Sequence, residues 1–334
     1  MILAKLNRPV LMLAISVAAF GNFGQCDSIC AEEPVYITPE SAADSADFAI
    51  QGEYSGEVES EGVIGIQIIA KGNDKFEAVA YRGGLPGDAD SVKMIERSTG
   101  VLSDGVVTFK GTEANAICQG RHVLIEYEGN TLGTLEKRDR KSSTLGMAPP
   151  KNAVVLFAGK ESDTQNWKNG KMDDHKLLQQ GTTSKEKFSD HLLHIEFRLP
   201  FKPEAEGQAR GNSGLYMQGR YEVQMLDSFG LEGKHNECGG IYSIKEPDTN
   251  MCYPPLAWQT YDIDFTAAKY DDAGDVVENA RMTVRHNGVT VHNNVELPKS
   301  TTASPLKPGK EDGPIYLQNH ENPVRYRNIW VQRK

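Results

Sequence analysis

Apolar and polar residues alternate with a period of two along most of this chain, in short segments separated by Gly, Pro, Asn and Asp. In the first half the pattern covers 63–70, 76–81, 106–110 and 123–127. A period of two places alternate side chains on opposite faces of a strand, and short polar breaks between strands are typical of hairpins. The region 47–137 is therefore predicted to form a small antiparallel β domain.

The same alternation returns from residue 152 to the end of the chain. The alternating segments are 154–157, 192–199, 213–226, 261–265, 281–285, 289–292 and 315–318. None of them continues into the 3.6-residue period of an amphipathic helix. Two antiparallel sheets packed face to face bury many half-apolar strands, so 152–334 is predicted to form a jelly-roll or lectin-like β-sandwich and the protein to be all-β.

The first residues have the pattern of a targeting segment. Lys5 and Arg8 give a basic start, and the apolar run 9–20 that follows is too short to span a bilayer comfortably. A basic start followed by a short apolar run and small residues is typical of a secretory signal peptide. We therefore expect 1–31 to be removed and the protein to be secreted or periplasmic, with no membrane span in the mature chain.

Two further segments have the composition of linkers. The segment 32–46 is acidic, rich in small residues and contains Pro. The segment 138–151 begins with a basic run and includes Pro149 and Pro150. Consecutive prolines favour an extended connector, so the expected order is signal peptide, linker, β domain, linker and sandwich domain.

The charge balance excludes one class of partner. The chain has 36 Lys and Arg against 46 Asp and Glu, a net charge of −10, and no tract of basic residues. Proteins that hold phosphate backbones need concentrated positive charge, so we expect no nucleic-acid partner. The motifs GxxxxGK[ST], GxGxxG, HExxH and GxSxG are also absent from the sequence. Nucleotide-dependent enzymes, zinc proteases and serine hydrolases therefore have no support.

The cysteine count limits the disulfides. Removal of 1–31 deletes Cys26 and Cys30 and leaves Cys118, Cys238 and Cys252. Three cysteines form at most one intramolecular disulfide. Cys238 and Cys252 flank a Gly/Pro-rich loop, and the sequence leaves both a disulfide and two buried thiols open.

The segment GNSGLYMQGRYEVQMLDS (211–228) is the strongest candidate for chemistry. Along it Glu222 and Gln224 share one strand face, and a one-residue bulge would bring Asp227 to the same face. Paired carboxylates on one surface are the usual equipment for acid–base catalysis on sugars. Acidic residues are otherwise disfavoured in strands, which favours a functional interpretation over a solvated polar face.

Other polar and aromatic residues are candidates for the same surface. His235 precedes Gly239-Gly240-Ile241-Tyr242, where glycines permit close approach of the backbone to a ligand. Further polar residues stand at the end of the predicted strand 315–318 and just after it. The candidates for substrate binding are Gln224, His235, Tyr242, Gln318 and Arg325, with His320 as a further candidate for catalysis and Trp258 and Tyr261 as sugar-stacking platforms.

Six motifs in the second half occur in an order that resembles a known family. They are VVLFAGKESDTQNWKNG, GNSGLYMQGRYEVQMLDS, GGIY, PPLAWQTYDIDF, RHNGVTVHNN and GPIYLQNHENPVRYRNIWV. Residues 152–334 resemble the 3-keto-disaccharide hydrolase family, whose domains are also described as 3-keto-glucoside-1,2-lyases or 3-keto-2-hydroxyglucal hydratases. The first half resembles β domains that precede this family in secreted bacterial proteins. Relatives often have Gly-Glu-Trp-Asn where this chain has Leu256-Ala-Trp-Gln-Thr, so that Glu is missing here.

The resemblance implies a concanavalin-like sandwich and an enzyme that cleaves 3-keto-glycosides by elimination and hydration. On this interpretation Glu222 and Asp227 act as base and acid, without an assigned order. His320 and Arg325 are the candidates for stabilising the enolate, and His235 is a reserve candidate. No cofactor is required by the sequence, and a divalent metal is compatible with these side chains.

Two alternatives from other classes stay open on the sequence. Glu222-x-Gln224-x-x-Asp227 is similar to the ExDxxE strand of laminarinase-type glycosidases, with Gln in the middle and Asp at the end. A non-catalytic carbohydrate-binding module, in which aromatic residues matter and carboxylates do not, is the other alternative. Comparing 3-keto with unmodified glucosides as substrates separates all three.

Overall fold

The computed structural model describes residues 34–89 and 91–334. The predicted signal peptide, with Cys26 and Cys30, lies outside the described residues. Within the described ranges no helix is long and apolar enough to cross a membrane. The chain is almost entirely β-structure and consists of an antiparallel barrel followed by two packed sheets.

Eight consecutive antiparallel strands form a closed barrel. Each strand pairs with its neighbours in sequence, and β1 closes the ring against β8. The strands are β1 (Gly52–Val58), β2 (Gly62–Ala70), β3 (Lys75–Arg82), β4 (Lys93–Ser103), β5 (Val106–Lys110), β6 (Asn115–Gln119), β7 (His122–Tyr127) and β8 (Asn130–Arg138). Hairpin connections make this topology local, as the alternation in the sequence predicts.

The segment before the barrel is folded, although its composition predicts a linker. A 3₁₀ turn (Glu40–Ala42) and a short helix α1 (Ala46–Ile50) lie against the barrel, and Ala42 is fully buried in its apolar cluster. The small residues that resemble a linker fit here because they permit close packing. The described part of the predicted linker, 34–46, is therefore a packed part of the fold.

The second half contains the remaining strands in two main sheets and a small hairpin. The strands are β9 (Val154–Phe157), β10 (Trp167–Lys168), β11 (Leu178–Gln179), β12 (Thr182–Phe188), β13 (His191–Arg198), β14 (Ser213–Met217), β15 (Tyr221–Met225), β16 (Trp258–Thr266), β17 (Lys269–Tyr270), β18 (Val276–Glu278), β19 (Ala280–His286), β20 (Val289–Leu297), β21 (Gly313–Leu317) and β22 (Arg325–Arg333). Two further 3₁₀ turns cover Glu161–Asn166 and Gly207–Ala209.

The two main sheets pack face to face around one apolar core. The five-stranded sheet has the order β10-β12-β21-β14-β15, and the seven-stranded sheet has the order β11-β22-β13-β16-β19-β20 with β9 beside β22. Inward residues of both sheets, such as Leu215 and Val223 of one and Ile195 and Ile263 of the other, belong to the same buried cluster. The predicted all-β sandwich is confirmed.

The connector between barrel and sandwich, 138–151, contacts both parts of the protein. Arg140 forms an ion pair with the buried carboxylate of Glu53 on β1. Ser142 donates or accepts a hydrogen bond of 2.6 Å with Thr260, and the Gly146 amide donates to Glu196. Polar side chains of the connector therefore form hydrogen bonds with polar residues on the outer face of the seven-stranded sheet.

The three described cysteines, Cys118, Cys238 and Cys252, are free buried thiols. Cys118 lies inside the barrel near the Tyr54 hydroxyl. Cys238 and Cys252 lie together in the sandwich core, with the Cys238 sulfur 3.3 Å from the Tyr261 hydroxyl. Of the two states that the sequence leaves open, the structure therefore has two neighbouring thiols.

Candidate active site

A row of side chains crosses the outer face of the five-stranded sheet. Strand pairing places Thr183, Tyr316, Tyr216 and Glu222 side by side on β12, β21, β14 and β15. The segment after Gly239 extends this sheet, since Ile241 bridges to Val223 and the Tyr242 amide donates to the Glu222 carbonyl. Glu222 is thus flanked by tyrosines of the two neighbouring chain segments.

Glu222 fills a space that a glycine leaves. Its carboxylate lies over Gly214, which is two residues before Tyr216 on the same face of β14, and a Cβ placed on Gly214 would come within 2.1 Å of the Oε1 atom. The carboxylate is almost completely buried, with 3% of the residue exposed. The backbone amide of Glu222 donates to the Thr301 hydroxyl, which fixes the strand beneath it. This glycine therefore permits a buried carboxylate on an outer sheet face.

Burial raises the pKa of Glu222 to about 7, and a hydrogen bond with Tyr216 opposes part of that rise. Removal from water disfavours the charged form of a carboxyl group, and among the described residues no cation offsets this effect. Burial and the nearby Glu222 charge also raise the pKa of Tyr216, so this tyrosine stays protonated as a hydrogen-bond donor. A carboxyl group that is half ionised near neutral pH is suited to proton transfer.

Carboxamide side chains lie beside this carboxyl group. The Gln318 amide donates to the Tyr216 hydroxyl over 3.2 Å. On β15, the Gln224 amide donates to Gln208 and Asn212, both of which precede β14. The Oε1 atom of Gln224 is buried and has no hydrogen-bond partner among the described residues. An unsatisfied buried acceptor is costly, so this oxygen is available to a hydroxyl donor of a ligand.

Three of the predicted residues lie at the edges of this row. Tyr242 is half-buried beside Glu222, and the exposed His235 ring packs edge-on against it at 6.2 Å between centroids. The His235 Nδ1 atom accepts from the Ser243 amide. His320 is exposed in the loop after β21, two residues beyond Gln318. These side chains are exposed or half-buried, whereas Glu222 is buried.

Asp227 has a different environment from the one its sequence position predicts. The strand ends at Met225, and β15 pairs with β14 in a regular register without a bulge. The buried Asp227 carboxylate accepts from Arg210 over 2.5 Å and from the Phe229 amide. Arg210 also donates to the carbonyl of Ala70 in the barrel. Asp227 therefore stabilises the contact between sandwich and barrel, and its hydrogen bonds are used there.

Three other predicted residues lie away from Glu222. Tyr261 is fully buried between the sheets, where its hydroxyl donates to the Gln224 carbonyl, so it offers no surface for a sugar. Trp258 lies on the outer face of the opposite sheet, between the guanidinium groups of Arg198 and Arg327. Their positions correct the expectation that these two aromatic residues form stacking platforms in the site.

Arg325 also belongs to the seven-stranded sheet. It is buried, forms an ion pair with Asp173 at 2.7 Å and donates to the Gln180 side chain. These partners already neutralise its charge, which removes the reason to assign it to an enolate. The structure thus brings Glu222, Gln224, Tyr242 and Gln318 together and leaves Arg325 apart from them.

Two site residues were not predicted from the sequence, namely Tyr216 and Asn212. Both lie in the segment 211–228, and Tyr216 alternates with the apolar residues of β14 in the same way as Glu222 does on β15. This alternation is a signal that could have identified Tyr216. Asn212 lies in the loop before β14, and its contact with Gln224 depends on the conformation of that loop, which alternation along a strand does not predict.

Among the described residues no group of three or more His, Cys, Asp or Glu side chains is arranged to hold a metal ion. Glu222 has tyrosine and carboxamide neighbours, and His235 and His320 are exposed. The site as built therefore offers hydrogen-bond donors and one carboxylate.

Residues 152–332, more than half of the chain, match the sequence model of the 3-keto-alpha-glucoside-1,2-lyase-like domain. The chain belongs to this family. The 3-keto-alpha-glucoside-1,2-lyase-like domain includes every strand of the sandwich and all the residues of the row around Glu222. The comparison with curated proteins gave no match.

Solved structures are similar over about half of the chain. A protein of Parabacteroides distasonis described as a "putative glycosyl hydrolase" is 31% identical over 55% of this chain and 85% of its own, with a TM-score of 0.50. A second protein of that organism with the same description is 16% identical over 55% of this chain and 94% of its own, with a TM-score of 0.40. The first likeness supports the sandwich assigned to this 3-keto-alpha-glucoside-1,2-lyase-like domain.

Proposed function

We propose that this protein is a carbohydrate-active enzyme that cleaves 3-keto-glycosides by elimination and then adds water, for a net hydrolysis of the glycosidic bond. Membership of the 3-keto-alpha-glucoside-1,2-lyase-like family and the likeness to a described glycosyl hydrolase support a glycosyl-hydrolase-like activity. The observation that carries the proposal is the buried Glu222, whose pKa of about 7 suits a general base.

The chemistry begins at C2 of the sugar. A keto group at C3 acidifies the C2 hydrogen, and Glu222 removes it as a proton. The electron pair of the C–H bond passes into the developing enolate and then forms the C1=C2 double bond as the bond from C1 to the aglycone oxygen breaks. The leaving oxygen takes up a proton. Addition of water across the double bond returns a proton to C2 and gives the free 3-keto sugar.

The neighbours of Glu222 have complementary roles in this proposal. Tyr216 and the Gln318 amide are hydrogen-bond donors close to the carboxylate, and donors stabilise a developing enolate oxygen. The unpaired Oε1 atom of Gln224 accepts a sugar hydroxyl. His235 and His320, exposed at the edge, are the candidates for protonating the leaving oxygen. Asp227 has no proton-transfer role, because Arg210 holds it.

The test compares 3-keto and unmodified glucosides, as both anomers and with the same chromogenic aglycone. Wild-type protein should release the aglycone only from a 3-keto substrate, with or without added divalent metal. Glu222→Gln should lower kcat by about 10²–10⁴-fold, the usual contribution of a positioned base. Glu196→Gln, which changes another buried glutamate on the outer face of the opposite sheet, is the matched control and should retain activity if it folds.

A deuterium experiment separates elimination from direct hydrolysis. In D₂O the hydration step places deuterium at C2 of the released sugar, whereas direct hydrolysis leaves the original hydrogen, and an enzyme-free sample corrects for spontaneous exchange. Release from unmodified glucosides would favour a laminarinase-type glycosidase. Binding without any release would favour a carbohydrate-binding module and refute the enzyme.

We also propose that the protein acts outside the cytoplasm. The basic start and short apolar run of 1–31 support this proposal. Mass spectrometry of protein from the culture medium or periplasm should find an N-terminus near residue 32. Recovery of the protein only from the cytoplasm, with Met1 intact, would contradict the proposal.

A further inference from the structure

The barrel encloses a cavity that the proposed reaction does not use. Its volume is about 750 Å³, within the range of roughly 300–1,000 Å³ that is typical of sites for small organic molecules. Apolar side chains such as Ile64, Ile66, Phe109 and Ile125 form its walls. The cavity lies at the barrel end where β1 meets β2, whereas α1 lies at the other end, before β1.

Alternate residues of each barrel strand point inwards. Where these inward residues are small, they leave the space open. Near the end where α1 lies, large side chains fill the interior, including the fully buried Tyr54 and Phe76. Towards the open end the inward residues of β3 are Ala78 and Ala80, and β6 contributes Ala116. The barrel is therefore packed at one end and hollow at the other.

The mouth of the cavity combines exposed apolar residues with negative charge. Ile95 and Tyr127 line it and are 46% and 49% exposed. Glu59, Glu96 and Glu113 also line it and, among the described residues, form no ion pair. The other charged residues that line the cavity, Glu61 and Arg82, form an ion pair with each other. An apolar cavity is thus surrounded by carboxylates without cationic partners.

We propose that the barrel is a binding site for a small amphiphile with an apolar body and a cationic group. The body occupies the space between Ile66, Ala80 and Phe109, and the cation lies at the mouth near Glu96 and Glu113. Burial of the apolar part supplies affinity, and the negative rim favours cations over anions. This site is separate from the row around Glu222 and does not depend on the proposed reaction.

Alkyl probes with different head groups test the proposal by calorimetric titration of the mature protein below micellar concentrations. Decyltrimethylammonium should bind more tightly than decyl maltoside, and decyl sulfate most weakly. Each methylene added to the trimethylammonium series should tighten binding by about fourfold, as expected for burial of a CH₂ group. Absence of binding, equal binding of the sulfate, or affinity independent of chain length would each overturn the proposal.

Two variants locate the probe. Ala80→Trp fills the cavity and should abolish binding, and unchanged affinity would place the probe elsewhere. Glu113→Gln keeps the cavity and should lower the affinity for decyltrimethylammonium by about two- to fivefold, the usual range for one exposed charge pair. The affinity for decyl maltoside should not change. Glu136→Gln is the matched control, because it removes an exposed carboxylate near the other end of the barrel. An equal effect of Glu113→Gln and Glu136→Gln would refute a specific role of the mouth.

Discussion

The carboxyl group of Glu222 should reduce the stability of the protein at the pH where it is ionised. Burial raises its pKa from 4.5 to about 7. Between pH 4.5 and 7, therefore, Glu222 keeps its proton in the folded protein, whereas the unfolded chain has released it. The favourable contribution of the protonated group is complete below pH 4.5 and is lost as the pH rises through 7.

The size of the effect follows from the shift. A difference of one pKa unit corresponds to about 1.4 kcal/mol, so the shift from 4.5 to about 7 corresponds to about 3 kcal/mol at pH 8. Glu222→Gln keeps the shape and removes the ionisation. The variant should therefore match wild type near pH 4.5 and exceed it by up to about 3 kcal/mol at pH 8. For a domain of this size that is roughly 6–12 °C in Tm.

Thermal unfolding of both proteins between pH 4.5 and 8.5 measures the difference. Glu196→Gln is the control with the opposite sign, because hydrogen bonds with His194, Asn328 and Arg327 outweigh burial and lower the pKa of Glu196 to about 2. Its contribution is present above pH 4.5 and is lost as the pH falls towards 2, so its removal should destabilise the protein at neutral pH. A Tm difference between Glu222→Gln and wild type that is independent of pH would refute the reasoning.

Three further predictions follow from the same contacts. Gly214→Ala should displace the Glu222 carboxylate and lower kcat/KM for a 3-keto-glycoside by at least tenfold while Tm changes little, and an unchanged kcat/KM would contradict the fit of carboxylate to glycine. In wild type, kcat/KM should rise as the pH increases towards about 7, since the base acts when ionised; a profile that falls over this range would assign Glu222 another role. Asp227→Asn should leave Arg210 as an uncompensated buried charge and cost about 3–5 kcal/mol in a denaturant titration, whereas an unchanged midpoint would contradict a structural ion pair.

Alternation along the chain predicted many of the strands, such as β2 and β3, and the face of Glu222 on β15, but not β4 or β8. Period two is a local property, and Glu222 and Gln224 keep it within β15, so the sequence places them on one outer face. The same rule puts Tyr261 with Ile263 and Phe265 on the buried face of β16. The stacking role expected for Tyr261 failed because its aromatic character was given more weight than this alternation.

Partners that are distant in sequence could not be predicted in this way. Asp227 meets Arg210 because two loops converge beside the barrel, and Trp258 meets Arg327 through the register of separate strands. Register and loop packing depend on the whole fold, and no spacing along the chain contains them. The contacts of the connector 138–151 could not be predicted for the same reason, because its partners Glu53 and Glu196 lie far away in sequence.

The two outer faces of the sandwich show why the Glu222 site stands out. On the seven-stranded sheet, Glu196 accepts hydrogen bonds from Arg327, Asn328 and the Gly146 amide of the connector, so its charge is stabilised. On the five-stranded sheet, Glu222 is equally buried, and its pKa is raised instead of lowered. A fold can bury a carboxylate with cationic and amide partners, as it does for Glu196. Glu222 instead lowers stability when it is ionised, and the Gln224 Oε1 atom on the same face has no partner among the described residues. Such unfavourable features are typical of functional sites, where a fold gives up stability for activity.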